Sequence, residues 1–83
     1  MNKLLVKVKY PLISQEYELF IPINKSIGKI TELIQKAIIE FNVEEIPLKK
    51  NAILIKADTN EILDSTKLVY DSNIKNGDTL VIL

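Results

Sequence analysis

Apolar residues alternate with polar ones from the start of the chain. Leu4, Val6, Val8 and Tyr10 fall on one side of an extended backbone, and Leu5, Lys7 and Lys9 on the other, which predicts a half-buried strand. "EYELFIPI" repeats the pattern, with Tyr17, Leu19 and Ile21 inward and Glu16, Glu18 and Phe20 outward. Pro11 opens the loop between the two. Pairing Val8 with Tyr17 sets Lys9 against Glu16, Lys7 against Glu18 and Leu5 against Phe20, so opposite charges and an apolar pair meet across a hairpin. The period then changes. Ile27, Ile30, Ile34, Ile38 and Phe41 recur at three or four residues, with Leu33 and Ala37 widening the stripe, and this predicts one amphipathic helix. Ser26 is its N-cap, Asn42 its stop, and Glu32 and Lys36 its exposed i,i+4 pair. Gly28 is a weak position in its first turn.

The remainder is choppier. In "NAILIKA", Ile53 and Ile55 share one side and Leu54 the other, and Leu54 is read as outward. A short strand follows at Glu61 to Leu63, then an irregular stretch anchored by Leu68 and Ile74. Gly77 supplies a turn residue tolerant of positive φ. The last strand turns Leu80 and Ile82 one way and Thr79, Val81 and Leu83 the other. The order is β-β-α-β-β-β. A lone helix cannot cover its own apolar stripe, so it packs on one face of a mixed sheet in an α+β two-layer domain spanning residues 1–83.

Composition narrows the chemistry. Eleven basic and eleven acidic side chains cancel, leaving no global field toward nucleic acid or an anionic membrane. With no Cys and no His, disulfides, thiol nucleophiles, His-based triads and the commonest metal ligands are excluded. The apolar runs are too short for a membrane span, and the N-terminal alternation does not fit a signal peptide. The expectation is therefore a non-enzymatic cytoplasmic protein without cofactor or metal. It would bind no nucleic acid and insert in no membrane.

The element order and the ending Ile74-Lys75-Asn76-Gly77-Asp78-Thr79-Leu80 resemble the ubiquitin-like β-grasp. That resemblance implies a sheet order of 2-1-5-3-4 with the first and last strands parallel at its centre. Within the superfamily the chain is similar to the YukD/EsaB-type proteins of Gram-positive type VII (WXG100 or Ess) secretion systems. These share its length, its early first strand, the GD turn and a finish at strand five. The resemblance implies an accessory or regulatory component, recruited to a membrane secretion complex through protein partners. Conjugation needs a mobile Gly-Gly tail for an activating enzyme. A chain finishing at Leu83 does not offer one, so the expectation is an unconjugated module. The alternative is a ubiquitin-like modifier or sulfur carrier whose Gly-Gly tail lies downstream of Leu83.

Candidate sites follow from the outward positions. Leu54, Val81 and Leu83 alternate away from the predicted core on strands that the resemblance makes neighbours, and Lys7, Lys9 and Lys56 would rim them. An apolar cluster ringed by charge has the composition of a partner surface, although singly exposed aliphatics are also ordinary scatter. Leu5 and Phe20 form a second outward pair, covered either by a loop or by a partner. Leu12 and Ile13 at the hairpin tip are similar, or fold back over the core edge. Asp58, Asn60, Glu61 and Asp64 look superficially like a calcium loop but lack its obligatory Gly, and read as a solvated turn. Glu44 and Glu45 read as solvated loop, Lys49-Lys50 as too short for a nucleic-acid patch, and Tyr17 and Tyr70 as packing residues. Free edges on the second and fourth strands, or the outer face, leave a homodimer open.

Overall fold

The computed structural model describes residues 2–42 and 48–83. Its elements are β1 (Lys3–Tyr10), β2 (Gln15–Pro22), α1 (Ile27–Phe41), β3 (Leu54–Lys56), β4 (Glu61–Ile62) and β5 (Thr79–Ile82), with short 3₁₀ turns at Pro11–Ile13 and Val69–Asp71. The five strands form one sheet in the order β2-β1-β5-β3-β4. β1 runs antiparallel to β2 and parallel to β5, and β3 is antiparallel to both β5 and β4.

The hairpin takes the register that its charges predict. Val8 lies opposite Tyr17, Lys7 opposite Glu18, Lys9 opposite Glu16 and Leu5 opposite Phe20. A one-residue slip would place Val6, Val8 and Tyr10, all fully buried, in solvent, so burial enforces what the outer pairs favour.

Helix α1 begins and ends where its pattern predicts, and its N-terminus is tied down. The Ser26 hydroxyl accepts from the Lys29 N–H at 3.1 Å, and the Ser26 carbonyl accepts from Ile30 N–H at 2.9 Å. The N–H groups of Ile27 and Gly28 donate to the carbonyls of Lys67 and Ser65, at 2.8 and 2.9 Å. Ile27, Gly28 and Lys29, three first-turn donors that have no partner within the helix, are therefore satisfied. The same docking explains Gly28, where a Cβ would meet the Ser65 carbonyl oxygen at 3.2 Å.

One face of the sheet and the helix enclose the core. It holds Val6, Val8 and Tyr10 from β1, Ile21 from β2, Ile27, Ile30, Ile34 and Ile38 from α1, Leu54 from β3, and Leu80 and Ile82 from β5, closed by Leu63, Val69 and Ile74. Three predicted packing residues differ outside β3, the first being Leu33, which widens the helical stripe but is 39% exposed. Phe41 is exposed, and it packs instead on Tyr17 of the edge strand β2, with ring centroids 5.8 Å apart. Tyr70 is also exposed; the 3₁₀ turn at Val69–Asp71 buries Val69 and turns Tyr70 outward. Glu44 and Glu45 lie outside the described residues.

Candidate interaction surface

The sheet face away from α1 carries most of the predicted site, with one inversion. Leu54 pairs with Ile82 across β3 and β5, and directly opposed residues share a face. Ile82 is core, so Leu54 is core as well, at 1% exposure. The outward residues of this segment are Ile53 and Ile55. Leu54 is thus removed from the predicted surface.

Lys56 moves with it. It shares the inward phase of Leu54, and its ammonium lies 3.7 Å from the Asp78 carboxylate and 3.9 Å from that of Asp58. A lysine is tolerated there because it sits at the end of the strand, where two carboxylates offset the loss of water. Lys56 is therefore a paired structural cation and not part of a rim.

Val81 and Leu83 keep their predicted places. Val81 lies between Lys9 of β1 and Ile55 of β3, and Ile55 in turn opposes Ile62 of β4. Next to that row the Leu83 N–H donates to the Ile53 carbonyl at 3.0 Å, which sets these two side by side. Ile53, Ile55, Ile62, Val81 and Leu83 thus form a continuous apolar patch over β5, β3 and β4. Ile62 is 65% exposed, Leu83 47% and Ile53 39%. Lys9 borders the patch directly, and Lys7 lies one row further, beside Thr79. Beyond them Glu16 and Glu18 stand on β2, so the face passes from apolar through basic to acidic.

Leu5 and Phe20 oppose each other as predicted. Leu5 is half-buried beside the Asn76–Gly77 turn: its N–H donates to Asn76 Oδ1 at 2.7 Å and its carbonyl accepts from Gly77 N–H at 2.7 Å. Phe20 remains 65% exposed, so no described loop covers it. At the hairpin tip Ile13 packs against the core while Leu12 stays exposed.

The polar groups are committed to local structure. Asp64 accepts from the backbone N–H and the hydroxyl of Thr66, at 2.9 and 2.6 Å, and these bonds hold its carboxyl below the ordinary range. Glu61 accepts from the Asn73 amide at 3.3 Å, and Asn60 takes the left-handed turn conformation, φ 59°. No group of His, Cys, Asp or Glu poised to hold a metal occurs among the described residues. Tyr17 accepts from the Asn42 amide at 3.0 Å, as a packing residue would. Among the described residues no helix is long and apolar enough to cross a membrane.

Sequence reasoning missed Ile53, Ile55 and Ile62 as surface residues. The signal was present in Ile62, which sits between Glu61 and the inward Leu63. It also missed Gln35, buried on the inner side of α1. The Gln35 carbonyl oxygen accepts from Lys49 N–H at 3.0 Å while its amide donates to the Lys49 carbonyl at 3.3 Å, so one side chain holds both backbone groups of the loop ahead of β3.

Neither a protein-family model nor a curated protein matches the sequence. Solved structures do match in shape. An N-terminal ubiquitin-like domain determined in solution superposes with a TM-score of 0.74 at 21% identity, over 99% of this chain and 74% of that one. A chain of the MycP5-free ESX-5 inner membrane complex gives 0.79 at 18% identity, over 100% of this chain and 21% of that one. A structure described as molecular mimicry of SUMO in DNA repair gives 0.75 at 17% identity, over 100% and 92%. At such identities the likeness is one of fold. One helix on a five-stranded mixed sheet of order 2-1-5-3-4, shared with these domains, gives this chain the ubiquitin-like β-grasp fold.

Proposed function

We propose that this chain is a non-enzymatic protein-interaction module that docks through the outer face of β5, β3 and β4 as an accessory component of a type VII secretion complex. The observation that carries the docking surface is the continuity of Ile53, Ile55, Ile62, Val81 and Leu83 across three strands, with Lys9 at its border. Burying exposed aliphatics supplies the attraction, and the adjoining lysines orient the partner. A non-catalytic role is supported by a chain without His or Cys and by polar side chains engaged in turns and caps. Assignment to secretion machinery is supported by the resemblance to YukD/EsaB-type proteins and by the shape shared with the ESX-5 chain.

The test is binding to purified membrane components of a type VII system, including its FtsK-type ATPase. An Ile62→Asp/Leu83→Asp variant should fold normally, since both side chains are largely exposed, and should lose that binding. Undiminished binding by the folded variant would remove the surface assignment. Absence of binding by the unaltered protein would remove the secretion assignment.

A further inference from the structure

The turn that leads into β5 carries a covalent chemistry of its own, independent of the outer-face patch. Asn76 is the only asparagine of the chain followed by glycine. In that setting the side-chain amide is open to attack by the next backbone nitrogen, because glycine has no Cβ to shield it. The Gly77 nitrogen gives its proton to hydroxide and bonds to Asn76 Cγ. The bond from Cγ to the side-chain nitrogen breaks, and ammonia leaves with a proton from water, which restores hydroxide. Water then opens the cyclic imide at either carbonyl. Opening at Cγ gives aspartate. Opening at the main-chain carbon gives isoaspartate, whose backbone runs through the former side chain with one extra methylene. The sum is asparagine plus water to aspartate or isoaspartate plus ammonia, with no oxidant or reductant.

In the folded chain one residue of β1 holds both reacting groups. The Gly77 N–H donates to the Leu5 carbonyl at 2.7 Å, and the Leu5 N–H donates to Asn76 Oδ1 at 2.7 Å. The turn adds a second restraint. The Asp78 N–H donates to the Lys75 carbonyl at 3.0 Å, and the Lys75 N–H donates back to the Asp78 carboxylate at 2.8 Å. Gly77 has φ 90° and Asn76 a negative φ, so this is a type II turn, with ψ of Asn76 near about +120°. That angle turns the Gly77 nitrogen away from the Asn76 side chain, whereas ring closure needs both on one side. Asn76 and Gly77 are exposed to water. Pairing with β1, and not burial, is what protects them.

We infer that Asn76–Gly77 is a spontaneous deamidation site that β1 keeps inert, and that parting of β5 from β1 turns into a permanent covalent change. Once Leu5 withdraws, the Gly77 nitrogen is free to lose its proton and the turn is free to rotate. The isoaspartate product then opposes re-docking, because its extra methylene displaces the Gly77 N–H from the Leu5 carbonyl. The aspartate product keeps the backbone length and an acceptor for the Leu5 N–H. One product is structurally silent, and the other holds the sheet open at its centre.

The test incubates the full chain in mildly alkaline buffer, native and in guanidinium chloride beyond the unfolding midpoint. Ammonia release and peptide mass mapping follow the reaction, and a synthetic peptide of residues 72–80 in both buffers corrects for the denaturant. In the unfolded chain Asn76 should convert before any other asparagine. In the native chain it should convert at least about 100-fold more slowly, since reaction is confined to transient opening. Leu80→Ala removes core packing from β5 and should raise the native rate by at least about 10-fold through a larger open population. A chain synthesised with isoaspartate at position 76 should lose hydrogen-exchange protection at the Leu5 and Gly77 amides and melt at a lower temperature, whereas Asn76→Asp should keep both. Equal native and unfolded rates, earlier conversion of another asparagine, no acceleration by Leu80→Ala, or an isoaspartate chain as stable as the unmodified one would each overturn the inference.

Discussion

The opposite fates of Leu54 and Ile55 give the sharpest test of where the outer face lies. They are neighbours of similar size in the same three-residue strand, yet Leu54 is 1% exposed and Ile55 only partly covered. Truncating Leu54 to Ala removes buried methyl groups and leaves a cavity between β3 and α1, for about 2–5 kcal/mol. Truncating Ile55 removes a side chain already touching water, and costs about 1 kcal/mol, mostly in strand propensity. An 83-residue chain has a total stability of about 4–12 kcal/mol, so the first loss consumes a large fraction of it. At about 4–8 °C per kcal/mol, Leu54→Ala should lower Tm by about 12–24 °C if it costs about 3 kcal/mol. Urea and thermal unfolding followed by far-UV circular dichroism measure both variants. If Ile55→Ala proves as costly as Leu54→Ala, strand β3 has the reverse phase and the outer patch must be redrawn.

Other expectations are equally direct. Gln35→Ala strips Lys49 of both backbone partners and should cost about 1–3 kcal/mol, with faster hydrogen exchange at the Lys49 amide. Gly77 has φ 90° and open space where a Cβ would stand, so L-Ala there should cost about 1–2 kcal/mol through the backbone alone, whereas D-Ala, in a synthetic chain, should not. Burial raises the Tyr10 phenol above its ordinary 10.0: stability should be full below that pH and fall as pH rises toward the folded value, a decline that Tyr10→Phe reduces in a denaturation series. At the acid end, the hydrogen bond from Lys36 and then the charge of Lys29 hold Glu32 below its ordinary 4.5. Its contribution is present above that pH and lost as pH falls through the folded value, so Glu32→Gln should show a flatter acid limb.

Much of this architecture is legible where many positions vote together. Eight consecutive pairs fix the hairpin register, and fifteen residues with a capped start fix α1. The sheet order came from resemblance, because nothing in the local pattern says that β5 pairs parallel to β1. Strand β3 misled because it has three residues, and one of them is Lys56, whose charge argues for an outward phase. Only the partnership with Asp78 and Asp58, remote or looped back in sequence, reverses that. Thr31 and Gln35 went unread. They lie on the buried side of α1 but are polar: Thr31 satisfies its hydroxyl locally on the Ile27 carbonyl four residues back, whereas the Gln35 partner, the Lys49 backbone, becomes visible only in three dimensions. The outer patch inherits the β3 error: Val81 and Leu83 were found, and Ile53, Ile55 and Ile62 were not.

The pairing of the first strand with the last governs how the molecule comes into being. During synthesis the hairpin and helix emerge early and can form from local contacts, whereas β5 emerges after the other four strands. Until it inserts, β3 and β4 pair only with each other, and the flank of β1 that β5 will occupy is bare. Closing so long a loop is entropically slow compared with making a hairpin. A nascent chain that has not yet docked β5 would expose an open ladder at the sheet's future centre, the kind of unpaired edge that a chaperone or another unfinished copy can capture.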